Sequence, residues 1–79
     1  MFVEIVFVGL LIDRDEVEEA LEAAFESDGE VTGAGSGMGR CHLDLEIVEG
    51  SDTAAALERL RTVLSDLGVA SCATLNVSE

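Results

Sequence analysis

The apolar periodicity of this chain changes from the two-residue repeat of a strand to the 3.6-residue repeat of a helix and back, twice over. That alternation restricts the folds open to it more than any single motif does. Phe2–Val8 is an apolar run broken only by Glu4 and rich in β-branched residues, and it reads as a buried strand. Val3, Ile5 and Phe7 share one of its faces, and Phe2, Glu4, Val6 and Val8 share the other. Asp13 then offers an N-cap, with Glu16 three residues later in the pattern of a capping box. Val17, Leu21, Ala24 and Phe25 recur at helical spacing, while Asp15, Glu18, Glu19, Glu22 and Glu26 fall mostly on the opposite side. Gly29 stands where a left-handed C-terminal residue is wanted, so the spacing predicts a helix over about Asp13–Asp28.

The second half repeats the theme. Glu30–Gly37 is a weaker strand in which Gly33, Gly35 and Gly37 alternate with other residues, and Gly33 and Gly35 share parity with Val31. Gly37–Arg40 supplies a hairpin turn into the strand Cys41–Glu49. There Leu43, Leu45 and Ile47 face one way, and His42, Asp44, Glu46 and Val48 the other. Ser51 or Asp52 caps a second helix with the stripe Leu57, Leu60, Val63, Leu64 and Leu67, ended by Gly68. Cys72–Val77 closes the chain as a strand, with Ala73, Leu75 and Val77 on one face.

This order, β-α-β-β-α-β, resembles the split βαβ, or ferredoxin-like, arrangement. The resemblance covers the whole chain, 1–79, as a single domain, and it is one of topology. It implies an α+β fold in which a four-stranded antiparallel sheet of order 4-1-3-2 carries both helices on one face. The other face would present Phe2, Glu4, Val6, Val8, His42, Asp44, Glu46, Val48, Thr74 and Asn76. A solvated sheet face is mostly polar, so Phe2, Val6 and Val8 exceed that expectation: they mark either a surface for a partner or a small exposed apolar patch of the kind ordinary on monomers.

Charge narrows the partners. Seventeen acids stand against four Arg and no Lys, a formal net charge of −13. Such a chain repels phosphate backbones and anionic membrane surfaces, so neither nucleic acid nor a membrane is expected. With three Phe and no Trp or Tyr, it also has little from which to build a base-stacking platform. A basic protein, a bound cation or a salt-rich cytoplasm fits the acidity better. The apolar fraction of 48% argues against disorder. A chain this short buries only about 60–65% of its extended surface, which makes association with further copies attractive. The run Ile5–Ile12 is too short to span a bilayer and follows no basic leader, so a cytoplasmic location is expected.

The most distinctive stretch is Gly33-Ala-Gly-Ser-Gly-Met-Gly39-Arg40. A dinucleotide fingerprint needs Gly at positions one, three and six, yet the sixth residue is Met38 counting from Gly33 and Arg40 counting from Gly35. A phosphate-binding P-loop needs Lys, and the chain has none. The glycines therefore read first as bulge or close-approach positions in a strand. Two functional alternatives stand beside that reading: an edge that accepts a peptide by strand addition, and anion capture by turn amides helped by Arg40.

Catalytic constellations are not evident. Cys41 and Cys72 match no metal-ligand spacing, and the topology is expected to start their strands from opposite ends of the sheet, leaving two free thiols. Cys41 and His42 are neighbours on a strand and point to opposite faces, which rules against a nucleophile pair. His42, Asp44 and Glu46 share a face beside Glu4, an arrangement open to a divalent cation but ordinary for a solvated strand. No enzyme activity, cofactor or metal is expected.

Two functional expectations follow. The first is a non-enzymatic protein-interaction or self-associating module, using Phe2, Val6, Val8, Gly33, Gly35, Gly37 and Arg40. A homo-oligomer or a basic protein partner, as for small acidic inhibitors of nucleases, would serve. The second is a small-molecule-sensing domain similar in topology to ACT domains, binding a metabolite at a dimer interface near Gly9-Leu10-Leu11. An acylphosphatase-like enzyme is disfavoured, because Arg14 lies in a run of acids and Asn76 lies on the final strand.

Overall fold

The first strand, β1 (Phe2–Val8), is the spine of the molecule: β3 (Arg40–Ile47) pairs with it on one side and β4 (Ala73–Ser78) on the other, both antiparallel. These observations come from a computed structural model, which describes residues 1–10, 12–48, 50 and 52–78. Leu11, Glu49 and Ser51, expected in a ligand loop, at a strand end and as a cap, lie outside the described residues. The remaining elements are α1 (Arg14–Phe25), β2 (Gly29–Gly37) and α2 (Thr53–Asp66), with short 3-10 turns at Glu26–Asp28 and Ala70–Cys72. The sheet order is β2-β3-β1-β4, which read from the other edge is the expected 4-1-3-2. The fold is α+β and ferredoxin-like in topology.

The expected parity of β1 and β3 holds. Val3, Ile5 and Phe7 of β1 and Leu43, Leu45 and Ile47 of β3 are buried against Val17, Leu21 and Phe25 of α1 and Ala56, Leu60 and Leu64 of α2. Both helices thus cover one face of the sheet, and burying their apolar stripes there supplies most of their stability. On β4, Leu75 is only partly buried and Val77 is 45% exposed, because an edge strand lies at the margin of the helical layer. Among the described residues no helix is long and apolar enough to cross a membrane.

Element ends differ from expectation where tertiary contacts override local signals. α1 stops at Phe25; the chain turns at Glu26 (φ 42°), not at Gly29. Gly29 is extended (φ −172°) and opens β2, and a Cβ there would stand 2.9 Å from the Glu46 carbonyl oxygen. Glycine serves close strand approach at this position rather than a left-handed cap. Asp13 occupies the N-cap but its side chain accepts no capping bond; the Glu16 amide instead donates to the Asp13 backbone carbonyl at 3.0 Å. Asp52 does cap α2, its carboxylate accepting from the Ala55 amide at 3.2 Å. β3 ends at Ile47, although the Val48 amide still donates to the Asp28 carbonyl at 2.9 Å, in register with the Gly29–Ile47 pair.

The expected geometry of the cysteines is also corrected. Phe7 pairs with Cys41 on one flank and with Ala73, next to Cys72, on the other. Both strands therefore begin at the same end of the sheet, because each runs antiparallel to β1. Both thiols are free and partly buried, separated by an intervening strand, and two inter-strand spacings of about 4.8 Å exceed disulfide reach.

Candidate interaction surface

The face of the sheet turned away from the helices is built in four cross-strand rows. Phe2 lies between Glu46 and Ser78, with Glu30 beyond Glu46. Glu4 lies between Asp44 and Asn76, Val6 between His42 and Thr74, and Val8 beside Arg40. Charge is graded along the strands: Glu30, Glu46, Asp44 and Glu4 occupy the first two rows, His42 and Arg40 the last two. Down the central strand, Phe2 (37% exposed), the half-buried Val6 and Val8 (53% exposed) form an apolar line between these groups.

β2 carries a bulge between Val31 and Gly33, and it inverts the expected parity of the glycines. Val31 pairs with Leu45 on the helix side, but after the bulge Gly33 pairs with Asp44 and Gly35 with His42. One unmatched residue reverses the facing of everything that follows. The glycines thus belong to the open face and do not admit a helix. As a result Phe2, Val6, Val8, Gly33, Gly35, Gly37 and Arg40, chosen from separate arguments, occupy one surface. Val48, also expected on this face, lies beyond the end of β3.

The bare glycines let the neighbouring side chains lie down. A Cβ at Gly35 would stand 2.6 Å from His42 Cε1, and one at Gly33 would stand 2.7 Å from Asp44 Oδ2. The imidazole and the carboxylate therefore rest on the backbone of β2, with His42 Nε2 3.8 Å from Asp44 Oδ2. Beside them opens a shallow depression of about 430 Å³ bounded by Val6, Gly35, Gly37, Arg40 and His42. On the other flank, Asn76 Nδ2 donates to Glu4 Oε1 at 3.1 Å. The acids are thereby spread over rows, with Glu4 and Asp44 engaged by neighbours, and among the described residues no three His, Cys, Asp or Glu side chains converge as metal ligands.

β2 is an edge strand, so one side of its glycine-rich backbone is unpaired within the chain. Sequence reasoning missed Arg14, which lines a crevice between the loop after β1 and the β2–β3 turn, together with Arg40. The available signal was its place as the first residue after an N-cap, next to a loop that the fold folds back over the hairpin. No protein-family model matches the chain, and no curated protein matches it in sequence.

Proposed function

We propose that this chain is a non-enzymatic, cytoplasmic protein-interaction module that docks a basic protein on the open face of its sheet. The observation that carries this reading is the line Phe2–Val6–Val8 on the central strand, bordered by Glu30, Glu46, Asp44 and Glu4. An apolar centre with a charged rim is the anatomy of a protein interface, in which the centre supplies affinity and the rim selects the partner's charge. A second copy of a chain with net charge −13 is opposed at low salt, so a cationic partner fits this face better than self-pairing.

The test compares the wild-type chain with Val6→Glu and Val8→Glu, each checked for folding by circular dichroism. Immobilised wild type should retain a basic protein from the native cytoplasm at about 0.1 M salt and release it as salt screens the rim. Each variant should lose at least about tenfold of that binding, a 1.4 kcal/mol effect. Equal retention by the folded variants, or a wild-type dimer that these substitutions break, would overturn the reading.

One observation favours a second reading, metabolite sensing of the ACT type: the crevice beside Gly9 and Leu10, where such a domain would take its ligand. That reading requires a dimer in solution with the ligand between copies, so a monomeric mass in the presence of ligand would remove it.

A further inference from the structure

Half of the cationic side chains of this acidic molecule converge on one crevice. Arg14, at the start of α1, and Arg40, at the start of β3, both line a recess of about 620 Å³ between the loop after β1 and the β2–β3 turn. The walls are tied together by the Gly9 amide, which donates to the Gly39 carbonyl at 3.2 Å. With seventeen acids to four Arg, a guanidinium would be expected to find a carboxylate, as Arg59 does with Asp28 at 3.0 Å. Arg14 and Arg40 do not: among the described residues neither has a carboxylate within ion-pair distance. Arg14 Nε is moreover enclosed by protein and has no hydrogen-bond partner among them. A buried, unpaired donor on a charged group is costly, and a negative charge set beside the guanidinium offsets part of that cost.

We infer that this crevice binds a small organic anion through an oxyanion group, phosphate or carboxylate, held between Arg14 and Arg40. The guanidinium fork suits either oxyanion. The start of α1 adds to the site, since the Asp13 side chain leaves its first amides uncapped and the helix dipole favours negative charge there. The recess is several times larger than an oxyanion, and Leu10 and Ile12 give it an apolar wall for the rest of the ligand. Asp13 and Asp15 also line it, so they lower the affinity for highly charged ligands and favour a single oxyanion. Every lining residue comes from one chain. The inference therefore shares the crevice with the sensing reading but needs no dimer; Arg40 also borders the open sheet face, but the argument uses neither Phe2, Val6 nor Val8.

Titration of the ¹⁵N-labelled full chain with phenyl phosphate and with benzoate tests it. Saturable shifts of the Gly9, Asp15, Gly39 and Arg40 amides are expected, and the tighter of the two probes identifies the oxyanion. Arg40→Gln should weaken binding about tenfold, the loss of one charge-assisted hydrogen bond, and Arg14→Gln at least as much. Arg61→Gln, on the exposed face of α2, should leave it unchanged. Should Arg14→Gln fail to fold, Arg40→Gln alone decides. No saturable shift with either probe, or equal weakening by Arg61→Gln, would overturn the inference; a ligand-dependent dimer seen alongside such a result would leave the sensing reading standing.

Discussion

At the scale of single residues, the glycines of β2 separate into two kinds by what a side chain would meet. At Gly29 the obstacle is the Glu46 carbonyl oxygen at 2.9 Å, a backbone atom held in the β3 ladder. At Gly35 it is the tip of the His42 ring at 2.6 Å, which can swing away. Gly29→Ala should therefore cost about 1–3 kcal/mol, the usual penalty for forcing an atom into a packed space. Gly35→Ala should cost less than about 1 kcal/mol and instead displace the imidazole, seen as a change in its Cε1 proton resonance. Urea unfolding of the two variants checks the order. Equal losses would mean that His42 is held as firmly as the backbone.

At the scale of elements, the two helices begin with the same residue type and differ in how it is used. Asp52 accepts the Ala55 amide, whereas the Asp13 carboxylate caps nothing. Asp52→Ala should destabilise the fold by about 1 kcal/mol and Asp13→Ala by only a few tenths, measured as denaturation midpoints. The apolar parity of β1 and β3 was legible in the sequence because each has one buried face, so that a slip by one residue would expose every core side chain. The helix stripes were legible for the same reason. What escaped was decided across elements: the Gly29 backbone meets Glu46, and the bulge in β2 depends on how two strands register. Of the candidate surface, the apolar line on β1 followed from alternation alone. That the glycine run shares its face could not, because the alternation within β2 is interrupted by a residue that carries no special signal, Thr32. The common end of Cys41 and Cys72 was derivable from topology, since two strands antiparallel to the same neighbour run parallel to each other.

For the molecule as a whole, electrostatic self-repulsion is the term most open to experiment. Seventeen acids and four Arg leave a net charge of −13, and among the described residues only Arg59–Asp28 pairs an Arg with an acid. Salt should therefore stabilise the fold by screening repulsion more than it weakens attraction. The urea midpoint should rise between about 0.05 and 1 M NaCl, over which the Debye length falls to about 3 Å. A midpoint that falls with salt would place net stabilisation in ion pairs. The same repulsion bears on the two edges. β2 from Val31 to Gly37 and all of β4 carry no charged side chain, so distant acids rather than local gatekeepers keep their open backbones apart.

The bulge in β2 gives Thr32 a role out of proportion to its contacts. Its hydroxyl reaches only the Asp44 carbonyl, at 3.5 Å. Yet its presence as a supernumerary residue sets the phase of the strand beyond it. Were Thr32 paired in a regular ladder, Gly33 and Gly35 would sit beneath the helices; with Thr32 removed, Gly33 would follow Val31 directly and keep its place opposite Asp44. Which side of the sheet is smooth enough for His42 and Asp44 to lie flat is thus fixed by Thr32 standing outside the ladder, not by the chemistry of any side chain. In a family descended from such a chain, loss of Thr32 would straighten β2 and leave this surface in place, whereas taking Thr32 into the ladder would turn the glycines toward the helices without changing a single side chain.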